Sequence, residues 1–261
     1  MSPPPPDLKL HAVTRKPAQH YTTDLIMAVV SALAWLFLAW LVLDMSHPFA
    51  QLTMPATPRW GWTNTLAIGC MWAVMMAAMM LPSAWPMVRV FARLSMQSGE
   101  PQRSRYFMVA YLLVWTAFSL GATAAQWTLQ ALGWVSPMLV STSPGLTAAL
   151  LLVAGVFQFS PLKRVCLARC RTPLGFLVGE WRPGARGAWV MGLRHGAMCL
   201  GCCWALMALL FVGGVMNLAW IAALALLVAA EKLAPQGQWM TKLLGLGLLA
   251  AAGTRLLALP T

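Results

Sequence analysis

Three of the chain's six cysteines and one of its four histidines fall within Met191-Gly-Leu-Arg-His-Gly-Ala-Met-Cys-Leu-Gly-Cys-Cys-Trp-Ala-Leu-Met207. At about 100° per residue, Met191, His195, Met198, Cys199, Cys202 and Cys203 share one broad side of a helix, with Met207 at its margin. Thiol and imidazole on adjacent turns are the donor set that selects Cu(I) or Zn(II) over hard cations. Cu(I) is the first choice and zinc the second. The bland alternative is packing: Cys and Met are ordinary apolar fillers, and Gly192, Gly196 and Gly201 permit close helix approach.

A second set of soft donors is the run Met71-Trp-Ala-Val-Met-Met-Ala-Ala-Met-Met80. Met71, Met75 and Met79 form one i, i+4 stripe, and Met76 and Met80 a neighbouring one. Thioether is a neutral ligand suited to Cu(I). The expected topology places Met75 and Met79 at the depth of His195 and Cys199, which makes these four, with Cys202 and Cys203, the candidate ligands. Cys166-x3-Cys170, among Lys163, Arg164, Arg169 and Arg171, is a candidate acceptor site on the cytoplasmic side. Met45-Ser-His47 with Met54 forms a weaker cluster in an outer loop. Arg194 is expected to face the interior, because ionisable groups at membrane depth usually do. Glu231-Lys232 is expected to be an interfacial pair. HExxH, G-x-S-x-G and P-loop patterns are absent, and the six acidic residues form no intramembrane dyad, so a non-enzymatic role is favoured while an enzyme stays open.

These donors need a scaffold, and composition names it. The 261 residues are 60% hydrophobic and 9% charged, with mean hydropathy +0.70, against roughly 25% charged in soluble proteins. The expected fold is all-α: a polytopic transmembrane helical bundle in the lipid bilayer, about seven spans with six as the alternative. The expected spans are Leu25–Leu43, Trp62–Leu81 (ended or kinked by Pro82), Tyr106–Leu132, Ser143–Phe159, Ala188–Val212, Asn217–Ala230 and Trp239–Leu257. Trp85–Met96 reads as an amphipathic interfacial segment. Residues 1–20, with Pro3-Pro4-Pro5-Pro6, read as a disordered, Pro-rich cytoplasmic head, and residues 21–261 as a single transmembrane domain.

With seven spans and a cytoplasmic N-terminus, fifteen of the eighteen Lys and Arg residues fall on the N-terminal side. Arg59 and Arg255 fall opposite, and Arg194 within a span. Such asymmetry sets orientation. It also accounts for the net charge of +12 without nucleic acid, because the basic residues sit in the loops.

Met71-Trp-Ala-Val-Met-Met-Ala-Ala-Met-Met-Leu-Pro-Ser83, Ser160-Pro-Leu-Lys-x-x-Cys166-x-x-x-Cys170-Arg and Gly192-x-x-x-Gly-x-x-Cys199-x-Gly-Cys-Cys-Trp-Ala-Leu-Met207 together resemble a bacterial family of uncharacterised, predicted metal-binding integral membrane proteins. The resemblance implies a multi-pass protein of the bacterial inner membrane linked to copper. In one departure, Phe157 precedes Gln158 where the family pattern has tyrosine. The favoured expectation is a protein holding Cu(I) for transport, delivery or homeostasis, with a copper chaperone or a membrane cuproenzyme as partner. Its rivals are a membrane thiol–disulfide oxidoreductase using Cys199/Cys202 and a non-catalytic scaffold subunit. No motif fixes an oligomeric state.

Overall fold

In hydrocarbon every backbone N–H and C=O must be satisfied within its own segment, so long apolar runs fold as helices. A computed structural model describes residues 18–57, 59–235 and 237–258. Its helices are α1 (Ala18–Leu43), α2 (Pro48–Thr53), α3 (Trp62–Gln97), α4 (Arg103–Ala131), α5 (Pro144–Phe157), α6 (Pro161–Arg171), α7 (Pro173–Glu180), α8 (Gly184–Ala208), α9 (Leu210–Gly213), α10 (Leu218–Leu233) and α11 (Gly237–Leu257). Among the described residues there is no strand, only the isolated bridges Val135–Ser141 and Val140–Gly213. Of the expected head, residues 1–17 lie outside the described residues and residues 18–20 open α1.

Among the described residues, five helices are long and apolar enough to cross a membrane: Thr22–Leu43, Trp62–Gln97, Arg103–Ala131, Gly184–Gly213 and Gly237–Leu257. A sixth is counted if α5 and α6, bent by 64° at their junction, act as one. The expected sixth span is α10, whose 16 residues rise only about 24 Å, short of a hydrocarbon core about 30 Å thick. Local signals place several ends. Ser143 and Ser160 each precede a proline at the first helical position and accept hydrogen bonds from Leu146 N (3.3 Å) and Lys163 N (3.1 Å).

The expected span does not end at Pro82. α3 runs through Pro82 and Pro86 as one 36-residue helix, and Trp85–Met96 is its continuation. Proline removes the hydrogen bond to the carbonyl four residues earlier, here Ala78. The Trp35 indole of α1 donates to that carbonyl at 3.1 Å, so the neighbouring helix fills the vacancy.

α8 packs along α4, α3 lies between α1 and α4, α11 covers α5, and α6 lies against α8. Glycine sets the closest approaches. A Cβ on Gly192 would stand 2.4 Å from the Phe107 carbonyl oxygen, and one on Gly196 would stand 2.9 Å from the Val114 side chain. Side-chain-free contact of this kind substitutes for hydrophobic driving force between helices in lipid.

Candidate metal centre

The glycine-mediated approach of α4 to α8 brings Tyr111 to the middle of the candidate ligand face. Its hydroxyl is 3.1 Å from Cys199 Sγ and 3.3 Å from the Met80 carbonyl oxygen of α3. From the last turn of α10, Lys232 Nζ donates to Cys199 Sγ at 3.0 Å and to Ser83 Oγ at 3.1 Å. Cys199 therefore sits where α3, α4, α8 and α10 converge. One turn on, the Cys202 and Cys203 thiols both donate to the Cys199 carbonyl at 3.0 Å. From α6, the Cys170 thiol meets that of Cys202. Cys166 Sγ lies so close to Gly201 that a Cβ there would be 2.9 Å away.

A cavity of about 220 Å³ opens among these groups. Its wall includes Ser83, Met87, Cys170, Arg171, His195, Cys199 and Lys232. His195 is 3% exposed, and neither ring nitrogen has a hydrogen-bond partner. Its ring lies against Tyr111, Phe176 and Phe107, at centroid distances of 5.5, 5.6 and 5.8 Å. Buried polar groups are rarely left unpaired, so an imidazole held among aromatic rings at a cavity wall has unspent donor capacity. All six cysteines are free thiols. Among the described residues no group of three or more His, Cys, Asp or Glu side chains is gathered as a metal-holding set.

A family model described as PpoB2, copper chaperone, matches residues 69–254. The chain belongs to the PpoB2 copper chaperone family. The match covers α3 to most of α11 and every cysteine, and leaves out α1 and α2. No curated protein and no solved structure matches the chain.

In this PpoB2-family chain the donors singled out from sequence separate into groups. Cys170, His195 and Cys199 share the cavity wall. Cys202 and Cys203 are buried beside it, and Cys166 is buried beneath α8. Met75 and Met79 are also buried. On α3, however, the wall is formed by Ser83, Ala84, Pro86 and Met87, one to three turns further along. In the outer cluster, His47 Nδ1 caps α2 by accepting from Phe49 N at 3.2 Å, and its ring packs on Trp40.

Two sequence expectations are overturned. Arg194 does not face the interior. Its side chain is 47% exposed and pairs with Glu180, because it projects about 100° away from its neighbour His195. That pairing, with Arg169 adding to it, holds the Glu180 carboxyl below the usual carboxylate range. Nor do Glu231 and Lys232 form an interfacial pair. Both are buried and they diverge, Glu231 to Lys163 Nζ at 2.7 Å and Lys232 to Cys199.

Lys232, Tyr111, Ser83 and Met87 are the site residues that sequence reasoning missed. A charged pair closing an apolar run was the available signal for Lys232, whereas Tyr111 had none. Phe157 packs on Trp204 at 5.1 Å, and Gln158 is buried with both amide atoms unpaired.

Proposed function

We propose that this chain is a multi-pass protein of the bacterial inner membrane that receives Cu(I) as cargo and passes it on. Cys170, Cys199 and His195 would hold the ion at the cavity. Cys202, Cys203 and Cys166 would continue a sulfur path along α8 and α6, and Met75 and Met79 would line its approach. The observation that carries this reading is the cavity itself, where two free thiols and an unpartnered buried imidazole face one space. Soft donors in a pocket with no carboxylate on its wall among the described residues disfavour Ca²⁺ and Mg²⁺ and favour Cu(I).

Thiols bind metals as thiolates, so binding releases protons. The ammonium of Lys232, 3.0 Å from Cys199 Sγ, supplies compensating positive charge in a medium where an unpaired charge is costly. The distribution of Lys and Arg supports a cytoplasmic N-terminus, with seven passes if α5/α6 and α10 each count as one, and we take the helical residues as a single domain. Delivery to a second copper protein is favoured over transport, since the family's description names a chaperone. The thiol–disulfide alternative is weaker, because the Cys202 thiol points to the Cys199 carbonyl.

The test is Cu(I) binding by the purified protein in detergent, measured by competition with a chromophoric Cu(I) chelator. Wild type is expected to bind stoichiometrically. Cys199→Ser and His195→Phe are each expected to weaken binding by about a hundredfold, and His195→Phe to keep the thermal stability of the apo protein. Wild-type affinity in both variants would end this reading.

A further inference from the structure

We propose that Lys232 makes the cavity selective for a monovalent soft cation over a divalent one. This rests on the copper-binding reading above and adds to it the residue that sets specificity. Lys232 is 6% exposed, and its Nζ is held by two hydrogen bonds, to Cys199 Sγ and Ser83 Oγ. Among the described residues, no carboxylate stands opposite this fixed charge on the cavity wall. The nearest buried carboxylate, Glu231, is engaged by Lys163 at 2.7 Å. Glu180 is engaged by Arg169 and Arg194. The other cation on the wall, Arg171, donates to the Ala234 and Pro235 carbonyls at 2.6 and 2.9 Å and so anchors the end of α10.

The charge balance follows from these contacts. Two thiolates, those of Cys170 and Cys199, with one Cu(I) leave a single negative charge, which the Lys232 ammonium cancels. His195 adds a neutral donor. The same thiolates with Zn(II) are already neutral, so the ammonium is left as an uncompensated buried charge, which is strongly unfavourable. The divalent ion is also repelled by the ammonium twice as strongly as the monovalent one. Copper and zinc share a preference for sulfur and imidazole, so ligand type alone does not separate them here. The fixed positive charge does.

The experiment measures Cu(I) and Zn(II) affinities in parallel on the full-length protein in detergent, each metal buffered by a chromophoric chelator. Wild type, Lys232→Leu, Lys232→Arg and Ser83→Ala are compared. Lys232→Leu removes the charge without adding a metal donor and is expected to lower the Cu(I)-to-Zn(II) affinity ratio by about a hundredfold, equal to about 2.8 kcal/mol at 1.4 kcal/mol per tenfold. Lys232→Arg keeps the charge and is expected to keep the ratio. Ser83→Ala removes one of the two contacts that fix the ammonium and is expected to lower the ratio part of the way. It reads the same effect if Lys232→Leu fails to fold. An unchanged ratio in Lys232→Leu, or in Ser83→Ala where Lys232→Leu does not fold, overturns the proposal while the copper reading stands. So does an equal loss in Lys232→Arg and Lys232→Leu. Absence of Cu(I) binding in wild type overturns both.

Discussion

The site depends on how closely α4 approaches α8, and Gly192→Ala tests that dependence. An alanine Cβ at this position would stand 2.4 Å from the Phe107 carbonyl oxygen and 2.8 Å from Ala110 Cβ. Ordinary contact begins at 3.4 Å, so the helices must separate by about 1 Å, since backbone cannot rotate away as a side chain does. Overpacking of this kind costs about 1–3 kcal/mol. The displacement also carries Tyr111 from 3.1 Å to about 4 Å from Cys199 Sγ, beyond hydrogen-bond range. Loss of such a supporting contact lowers metal affinity by about 10- to 100-fold. Gly121→Ala, on the facing helix α4 with nothing within 4 Å of its Cβ, is the control and is expected to stabilise by up to about 1 kcal/mol. The assay is thermal unfolding in detergent by tryptophan fluorescence, together with Cu(I) competition. Equal unfolding temperatures and equal affinities in the two variants would refute the reasoning.

Two further outcomes are expected. Glu231→Gln strands the Lys163 ammonium in a buried position, with an expected loss of about 3–5 kcal/mol, whereas the double variant Lys163→Met/Glu231→Met loses markedly less; thermal unfolding of the set checks this. Glu180 is held below the usual carboxylate range by Arg194 and Arg169, so its contribution to stability is present above the unfolded-state carboxylate pKa and is lost as pH falls through the lowered folded-state value. The gap in unfolding temperature between wild type and Glu180→Gln should therefore be present at neutral pH and shrink on acidification.

Membrane-length helices, the serine-proline start at Ser143, and the clustering of Cys199, Cys202 and Cys203 on one side of α8 were legible in the sequence. Each follows from local rules: run length, a capping side chain before proline, and 3.6-residue periodicity. The continuity of α3 was not legible, because a proline's lost hydrogen bond is a local fact while the Trp35 indole that satisfies Ala78 comes from another helix. The same holds for Met75 and Met79. Their periodicity puts them on one stripe and in the core, but which level of α3 borders the cavity depends on how α3 slides against α4 and α10.

The sequence by itself determined that this is a helical chain with soft donors buried on one helix face, since those properties depend only on residue type and spacing. Tertiary structure alone decided which donors share a cavity. It brought Cys170 of α6 to Cys202, set Tyr111 and Lys232 against Cys199, and turned Arg194 outward to Glu180. Neighbouring residues on a helix point about 100° apart, and only the packing of the surrounding helices says which of those directions is protein and which is solvent or lipid.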